Sequence, residues 1–311
     1  MVSVSIIVPC FNAEKYVADA IRSALDQTYP NKDVIVVDDG STDGSLAVIR
    51  SFGDRIRWET IPHRGGSAAR NRGIEVARGE LVQFLDADDI LHSRKLERQV
   101  KAHLKSGARI TFCDWETIWD NGRRRAVNSP RPDDDPVIFV LNNQLQTAAP
   151  LHRRETLLQV GGFREDLVCS QERDLHVRLA CAGTSFYRVP EVLFTQRRLP
   201  GSVSEDIARI FDQHPKILWP AYERLKESGH LTDARARAFA GVRAQGARFY
   251  LRAGRPQKAR ECFQEARRMH PSGGLETLHP NPWTRLLSRI LGPMYVERLI
   301  LFRHGLKGTA R

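Results

Sequence analysis

The stretch SIIVPCFNAEKYVADAIRSALDQTYPNKDVIVVDDGSTDGSLAVI, residues 5–49, decides the fold. Val4 to Val8 and Val34 to Val37 are short apolar runs bounded by turn formers, the pattern of strands buried on both faces. Between them Val17, Ala20, Ile21, Ala24 and Leu25 recur at i, i+3, i+4, i+7 and i+8, one apolar face of a helix. Further strands are expected at Ile56 to Trp58, Leu81 to Leu85 and Ile110 to Phe112, with helices over 43–50, 66–78 and 93–106. This alternation predicts an α/β fold with a largely parallel sheet flanked by helices, whose ligands bind beyond the carboxyl ends of the strands. Asp38, Asp39, Asp86 and Asp88 fall at such ends.

The 311 residues suffice for a large domain with an appendage, and 41% hydrophobic content is compatible with a substantial core. A balance of 48 Lys and Arg against 37 Asp and Glu leaves +11, which favours anionic partners without choosing among phosphates, acidic membrane and nucleic acid. The five cysteines form no Cys-x-x-Cys pair and have no His at zinc-finger spacing, so neither a disulfide framework nor structural zinc is indicated. The first residues read as a strand rather than a leader, and no apolar run reaches the roughly 20 residues a membrane span needs. A cytoplasmic protein is expected, soluble or peripheral to the membrane.

Downstream, residues 115–127 carry an Asn-Gly pair between strand-like flanks and read as a hairpin; 131–136 reads as a loop. Gly161 and Gly162 form a turn before a helix at 171–183, followed by two strand-like segments, 184–189 and 191–197. After Pro200 the chain turns helical and basic. The expected organisation is a domain over 1–204, with halves 1–113 and 114–204, and a helical extension over 205–311.

Two motifs carry chemistry. In VIVVDDGSTDGS, residues 34–45, a strand delivers Asp38 and Asp39 to a turn preceding a helix, where carboxylates can accept from a nucleobase N–H or ribose hydroxyls; Asp, Gly and Ser are also ordinary turn formers. In LDADD, residues 85–89, carboxylates at i and i+2 can divide between a sugar hydroxyl and a hard divalent cation on phosphate oxygens. Magnesium or manganese suits such oxygen ligands, whereas zinc would want His or Cys.

In order and spacing these segments, with the VPCFN turn, the AARNRG segment, the GGF turn and an acidic helix, resemble the family 2 glycosyltransferases of the GT-A fold, from Ser3 to about Ser204. The resemblance implies a Rossmann-like sheet, a nucleoside-diphosphate sugar donor with a UDP-sugar favoured, and a Mn2+ or Mg2+ cofactor. It places Pro9, Phe11 and Asp38 or Asp39 against the nucleobase and ribose. Asp86 would face the ribose or sugar, Asp88 would hold the cation, and Arg70 and Asn71 would line the donor site. Asp89 is assigned to supporting the loop.

In that family the acidic helix carries a catalytic base in a Glu-Asp pair; here the matching residues are Gln171 and Glu172. Glu172 is therefore the expected base and Asp174 the alternative, with Asp174 and Arg178 also an i, i+4 ion pair. Arg197 or Arg198 would approach the diphosphate. The implied reaction is inverting transfer to a hydroxyl of a saccharide or lipid-linked acceptor, in bacterial-type glycan, polysaccharide or glycolipid synthesis. The rival is a noncatalytic sugar-nucleotide or glycan-binding scaffold of the same fold.

Tyr250, Gly254, Ala259, Phe263, Ala266 and Pro271 match a single tetratricopeptide-like hairpin, fewer than the roughly three repeats of a solenoid. The tail from Trp283 has six Lys or Arg against one Glu among Leu, Ile, Trp and Phe, a composition suited to an anionic membrane surface or to a packed terminal helix. Nucleic acid is not the expected partner, because no recognised module accompanies the charge.

Overall fold

The computed structural model describes residues 1–199, 206–279, 281–297 and 299–300. The chain divides into two compact units, Met1–Glu205 and Asp206–Arg311.

The first unit opens with β1 (Val4–Cys10), α1 (Val17–Leu25), β2 (Lys32–Asp38), α2 (Ser45–Arg50), β3 (Arg57–Thr60), α3 (Gly66–Val76) and β4 (Leu81–Phe84). The strands β3, β2, β1 and β4 lie side by side and run parallel, so their carboxyl ends line up on one edge. Every residue of β1 is buried because helices cover both faces. Strand alternation divides it: Val4, Ile6 and Val8 pack with Val17, Ile21 and Ala24 of α1, while Ile7 joins Ala69 and Ile74 of α3. Gly73 lets α3 approach this closely, since a Cβ there would lie 2.3 Å from Ile7 Cγ2.

The chain continues through β5 (Ile90–Leu91), α4 (Lys95–Ser106), β6 (Ile110–Trp119), β7 (Arg124–Val127), α5 (Pro136–Asn142), β8 (Pro150–Arg153), α6 (Arg154–Gln159), α7 (Gln171–Cys181) and β9 (Phe186–Arg198). Here the sheet is mixed: β8 runs antiparallel to β4 and β6, and β9 runs parallel to β6. The hairpin turns at Gly122, with φ 77°. The two segments expected at 184–189 and 191–197 form one strand, β9. Its register skips from Val189 to Val192 against adjacent residues of β6, a bulge that accommodates Pro190, which has no N–H to donate. The end of the expected loop at 131–136 starts α5, with Asp135 accepting from the Val137 and Ile138 N–H groups and Pro136 at the first helical position.

The second unit contains α8 (Ile207–Glu227), α9 (Asp233–Arg252), α10 (Pro256–Met269), α11 (Gly273–Leu278) and α12 (Pro282–Leu291). Helices α9 and α10 form a hairpin, turning at Gly254 with Tyr250, Ala259, Phe263 and Ala266 buried. The tail from 301 onward lies outside the described residues, as do 200–205.

A buried polar contact contributes to the pH sensitivity of the first unit. His152 of β8 and His176 of α7 stack with ring planes 7° apart and Nε2 atoms 3.3 Å apart, both inaccessible to water. Burial lowers the pKa of both, with the His152 shift reinforced by His176; His176 is lowered to about 4, with Arg178 adding to burial. The unfolded chain takes up protons below about 6.5, where the folded pair stays neutral. Stability from this pair is therefore complete above that pH and falls as the pH drops toward 4. Melting temperature measured against pH should show this loss, with a shallower slope in His176→Gln.

Candidate active site

The ends of β1, β2 and β4 and the start of α3 enclose a cavity of about 430 Å3. Its walls include Pro9, Cys10, Phe11, Asn12 and Tyr16 on one side, and Asp39, Arg70, Asp86 and Asp88. Six residues expected from sequence thus meet in one cavity: Pro9, Phe11, Asp39, Arg70, Asp86 and Asp88.

The loop after β1 is tied to the loop after β2. Asn12, at φ 48°, accepts from the Thr42 N–H through Oδ1 (2.8 Å), and its own N–H donates to Ser41 Oγ (3.0 Å). Ala13 N–H donates to Ser45 Oγ (2.8 Å), Glu14 N–H to Asp43 Oδ2 (3.1 Å), and Gly44 N–H to Glu14 Oε2 (3.1 Å). These side chains hold the two turns against each other, a task that leaves no periodic signal. Asn12 also lines the cavity and went unread as a site residue.

The adjacent aspartates differ. Asp39 accepts from the Arg64 N–H at Oδ1 (2.9 Å) and the Gly65 N–H at Oδ2 (2.8 Å), and His63 Nδ1 lies 2.9 Å from Oδ2. Oδ2 is thereby engaged by two partners, while Oδ1 keeps capacity for one more donor. Asp38 accepts from the Ser41 N–H (3.3 Å), while its buried Oδ2 has no partner among the described residues. It does not line the cavity. Phe11 is 44% exposed and stacks on His63 with centroids 4.0 Å apart, so its ring forms part of the rim rather than the core.

Three carboxylates crowd the loop after β4. Arg70 Nη2 donates to Asp86 Oδ1 (2.6 Å), with its guanidinium 5.4 Å from the Phe163 ring centroid. Burial disfavours the Arg70 charge, but Asp86, Glu172 and Asp88 outweigh it and raise the pKa. Burial, then Asp86, pushes the Asp88 carboxyl up to about 6. Asp89 is raised well above the ordinary range by burial, with Asp86 and Asp88 adding, and its Oδ1 accepts from the Arg197 N–H (3.0 Å). Arg197 also donates to the Asp88 carbonyl (3.4 Å) and to Asp19 Oδ2 (2.8 Å). Asp89 thus supports the loop as expected, and Arg197 anchors it.

Among the described residues no set of three or more His, Cys, Asp or Glu could hold a metal by itself. Asp88 nevertheless fits a hard divalent cation. Its carboxylate borders the cavity beside Asp86 and receives no hydrogen bond from another described residue, and magnesium is commonly held by one or two carboxylates with substrate phosphates and water.

Helix α7 separates the two base candidates. Glu172 is partly buried, and its Oε1 accepts from Thr147 Oγ1 (3.0 Å). Asp174 is 2% exposed and paired with Arg178 (2.7 Å) and Arg164 (3.5 Å). Arg178 in turn donates to the Val160 and Gly162 carbonyls (2.6 and 2.7 Å), so Asp174 anchors the turn before α7. Its carboxylate is committed to these ion pairs, unlike that of Glu172. Asn71 also differs from expectation and does not line the cavity. Its amide accepts from the Phe163 N–H (2.7 Å) and donates to the Phe163 carbonyl (2.8 Å) and to Glu165 (3.0 Å), clamping the same turn.

A Rossmann-like half-sheet with an acidic cavity at its carboxyl edge is the setting for the following likenesses. Residues 5–156 match the profile of Glycosyl transferase family 2. An uncharacterized glycosyltransferase of Haemophilus influenzae is 30% identical over 216 residues, covering 64% of this chain and 84% of the relative. The UDP-Glc:alpha-D-GlcNAc-diphosphoundecaprenol beta-1,3-glucosyltransferase WfgD of Escherichia coli is 38% identical over 120 residues, 38% of this chain and 47% of WfgD. The S. aureus TarS 1–349 structure in complex with UDP-GlcNAc aligns with TM-score 0.61 at 17% identity, covering 86% of this chain and 92% of that one. The mannosyltransferase PcManGT from Pyrobaculum calidifontis, in complex with GDP-Man and Mn2+, aligns with TM-score 0.54 at 17% identity, covering 90% and 88%. The chain belongs to glycosyl transferase family 2, and its first unit has the GT-A fold.

The two acids of α7 should separate in a stability measurement. Asp174→Ala removes a buried carboxylate shared by the partly exposed Arg178 and Arg164 and should cost about 2 kcal/mol in urea unfolding, whereas Glu172→Gln should change stability by less than about 1 kcal/mol.

Proposed function

We propose that the protein moves a sugar from a nucleoside-diphosphate sugar, a UDP-sugar by preference, to a hydroxyl of a saccharide or lipid-linked acceptor, with inversion at the anomeric carbon. The observation that carries this reading is the meeting of Asp86, Asp88 and Arg70 in one cavity, with Glu172 close enough to act on the Arg70 charge. The UDP-sugar and lipid-linked acceptor in WfgD's name, the UDP-GlcNAc bound by TarS and the Mn2+ in PcManGT support the choice of substrate and cofactor. TuaG of Bacillus subtilis, named for teichuronic acid biosynthesis and 35% identical over 123 residues, supports a place in bacterial cell-surface glycan synthesis.

In this reading Phe11, Pro9 and Asp39 receive the nucleoside, and Asp38 holds the turn that presents Asp39. Asp86 faces the ribose or sugar, its orientation held by Arg70. Asp88 would hold a magnesium or manganese ion, which when bound supplies Lewis-acid stabilisation of the departing diphosphate. Glu172 takes the proton of the acceptor hydroxyl; the freed oxygen pair forms the new bond to the anomeric carbon from the face opposite the diphosphate, and the carbon–oxygen bond to the diphosphate breaks with its electron pair leaving on phosphate. The hydrogen bond from Thr147 to Oε1 sets the carboxylate's orientation. Contact of the basic C-terminal tail with an anionic membrane at the cytoplasmic face belongs to the same reading. No helix among the described residues is long and apolar enough to cross a membrane.

Glu172→Gln should leave donor binding within about threefold of wild type and lower kcat by at least roughly 100-fold, the contribution of a general base. Donor panels read by released nucleoside diphosphate check this. Undiminished turnover would remove Glu172 from the role, and tight donor binding by wild type without transfer to any acceptor would identify a scaffold.

A further inference from the structure

The net charge of the chain is confined to one unit. Residues 1–205 hold 28 Lys and Arg against 28 Asp and Glu, whereas residues 206–311 hold 20 against nine. The whole excess of +11 therefore belongs to the helical unit.

Within that unit the described large apolar side chains of α12 are exposed. Trp283, Leu286 and Leu287, at i, i+3 and i+4, share one face and are 74%, 47% and 45% exposed. Ser288, five positions from Trp283 and thus on another side of the helix, is 1% exposed, and its Oγ has no partner among the described residues. Space is not what excludes the leucines. A cavity of about 410 Å3 lined by Phe263, Ala266, Leu275, Ser288 and Pro293 lies on the inner side.

The segment after α12 is anchored. Residues 293–297 are helical, with Val296 and Glu297 buried and Tyr295 exposed; Leu299 beyond them is also exposed. Glu297 pairs with Arg248 of α9 at 2.7 Å, and Arg248 also donates to the Leu278 carbonyl. Rolling this segment to hide its apolar residues would break a buried ion pair, which is strongly unfavourable. Asn281 caps the start of α12 by accepting from the Trp283 N–H (2.9 Å), and Pro282 occupies the first helical position, so the helix begins where its exposed Trp begins.

We infer that the exposed face of α12 is a docking surface for an anionic phospholipid membrane. Aromatic and leucine side chains on a strongly cationic unit match the two contributions that hold interfacial helices, apolar insertion and attraction to acidic headgroups. A second copy of the chain is the poorer occupant, since it would bring another +11 against the first. Nucleic acid would use the charge and leave the leucines in water. The inference deepens the proposed function by naming where a lipid-linked acceptor is met; its purpose rests on that reading, but its test does not.

The test is co-sedimentation of the full chain with vesicles of phosphatidylcholine alone or mixed equally with phosphatidylglycerol. Partitioning should favour the anionic vesicles by roughly tenfold or more and weaken in about 0.5 M salt. Leu286→Ser with Leu287→Ser should lower it by roughly tenfold or more, without loss of fold because both positions are exposed. Equal partitioning of wild type and variant, or no preference for acidic lipid, would overturn the inference. So would self-association that the double variant abolishes in a wild type that ignores vesicles. Transfer to a soluble acceptor, assayed in parallel, separates the two claims: if transfer persists while vesicle binding fails, only the docking surface falls.

Discussion

Three carboxylates at the end of one short strand are the constraint around which the first unit is arranged. Asp86, Asp88 and Asp89 crowd one loop, and burial raises the cost of charge on Asp88 and Asp89. Two arginines from distant segments make the crowding tolerable in different ways. Arg70 gives Asp86 a direct ion pair, and Arg197 gives Asp89 a backbone donor while anchoring its own guanidinium on Asp19. Asp88 is left beside the cavity without a donor from another described residue. A carboxylate so placed is costly to an empty fold and useful to one that binds a cation with a diphosphate.

The rest of the unit serves to hold that edge still. The loops after β1 and β2 are cross-tied through Asn12, Glu14, Ser41, Asp43 and Ser45, and Asp39 organises the approach to α3 through two backbone N–H groups. On the far side, Asn71 and Arg178 converge on the turn at 160–163, which leads into α7. Two acids on that helix then divide the labour. Asp174 is locked into the turn, and Glu172, two residues earlier, has one carboxylate oxygen without a partner among the described residues.

The first half of the fold was legible because its information is local. The β1–α1–β2 unit announces itself through apolar runs and 3.6-residue periodicity, and the acidic motifs fall at strand ends by spacing alone. What could not be read depends on contacts distant in sequence. Asn71 looked like a donor-site residue beside Arg70, yet its amide reaches residues over 90 positions away. Asp174 and Glu172 differ in their contacts because of Arg164 and the turn at Gly162, neither visible from the helix pattern. Pro190 made one bulged strand read as two. The direction of α12 was undecidable for a related reason: apolar periodicity defines a face but does not say which way it points.

The central claim is that Asp88 links a divalent cation to a nucleoside diphosphate in the cavity beyond β1 and β4. Calorimetric titration of UDP into the full chain, with and without manganese, tests it most directly. Manganese should tighten UDP binding by roughly tenfold or more in the wild type and leave Asp88→Asn unaffected, because phosphate-bound cations of this kind need the protein carboxylate to complete the bridge. UDP binding that is the same with or without metal, and the same in Asp88→Asn, would contradict the account.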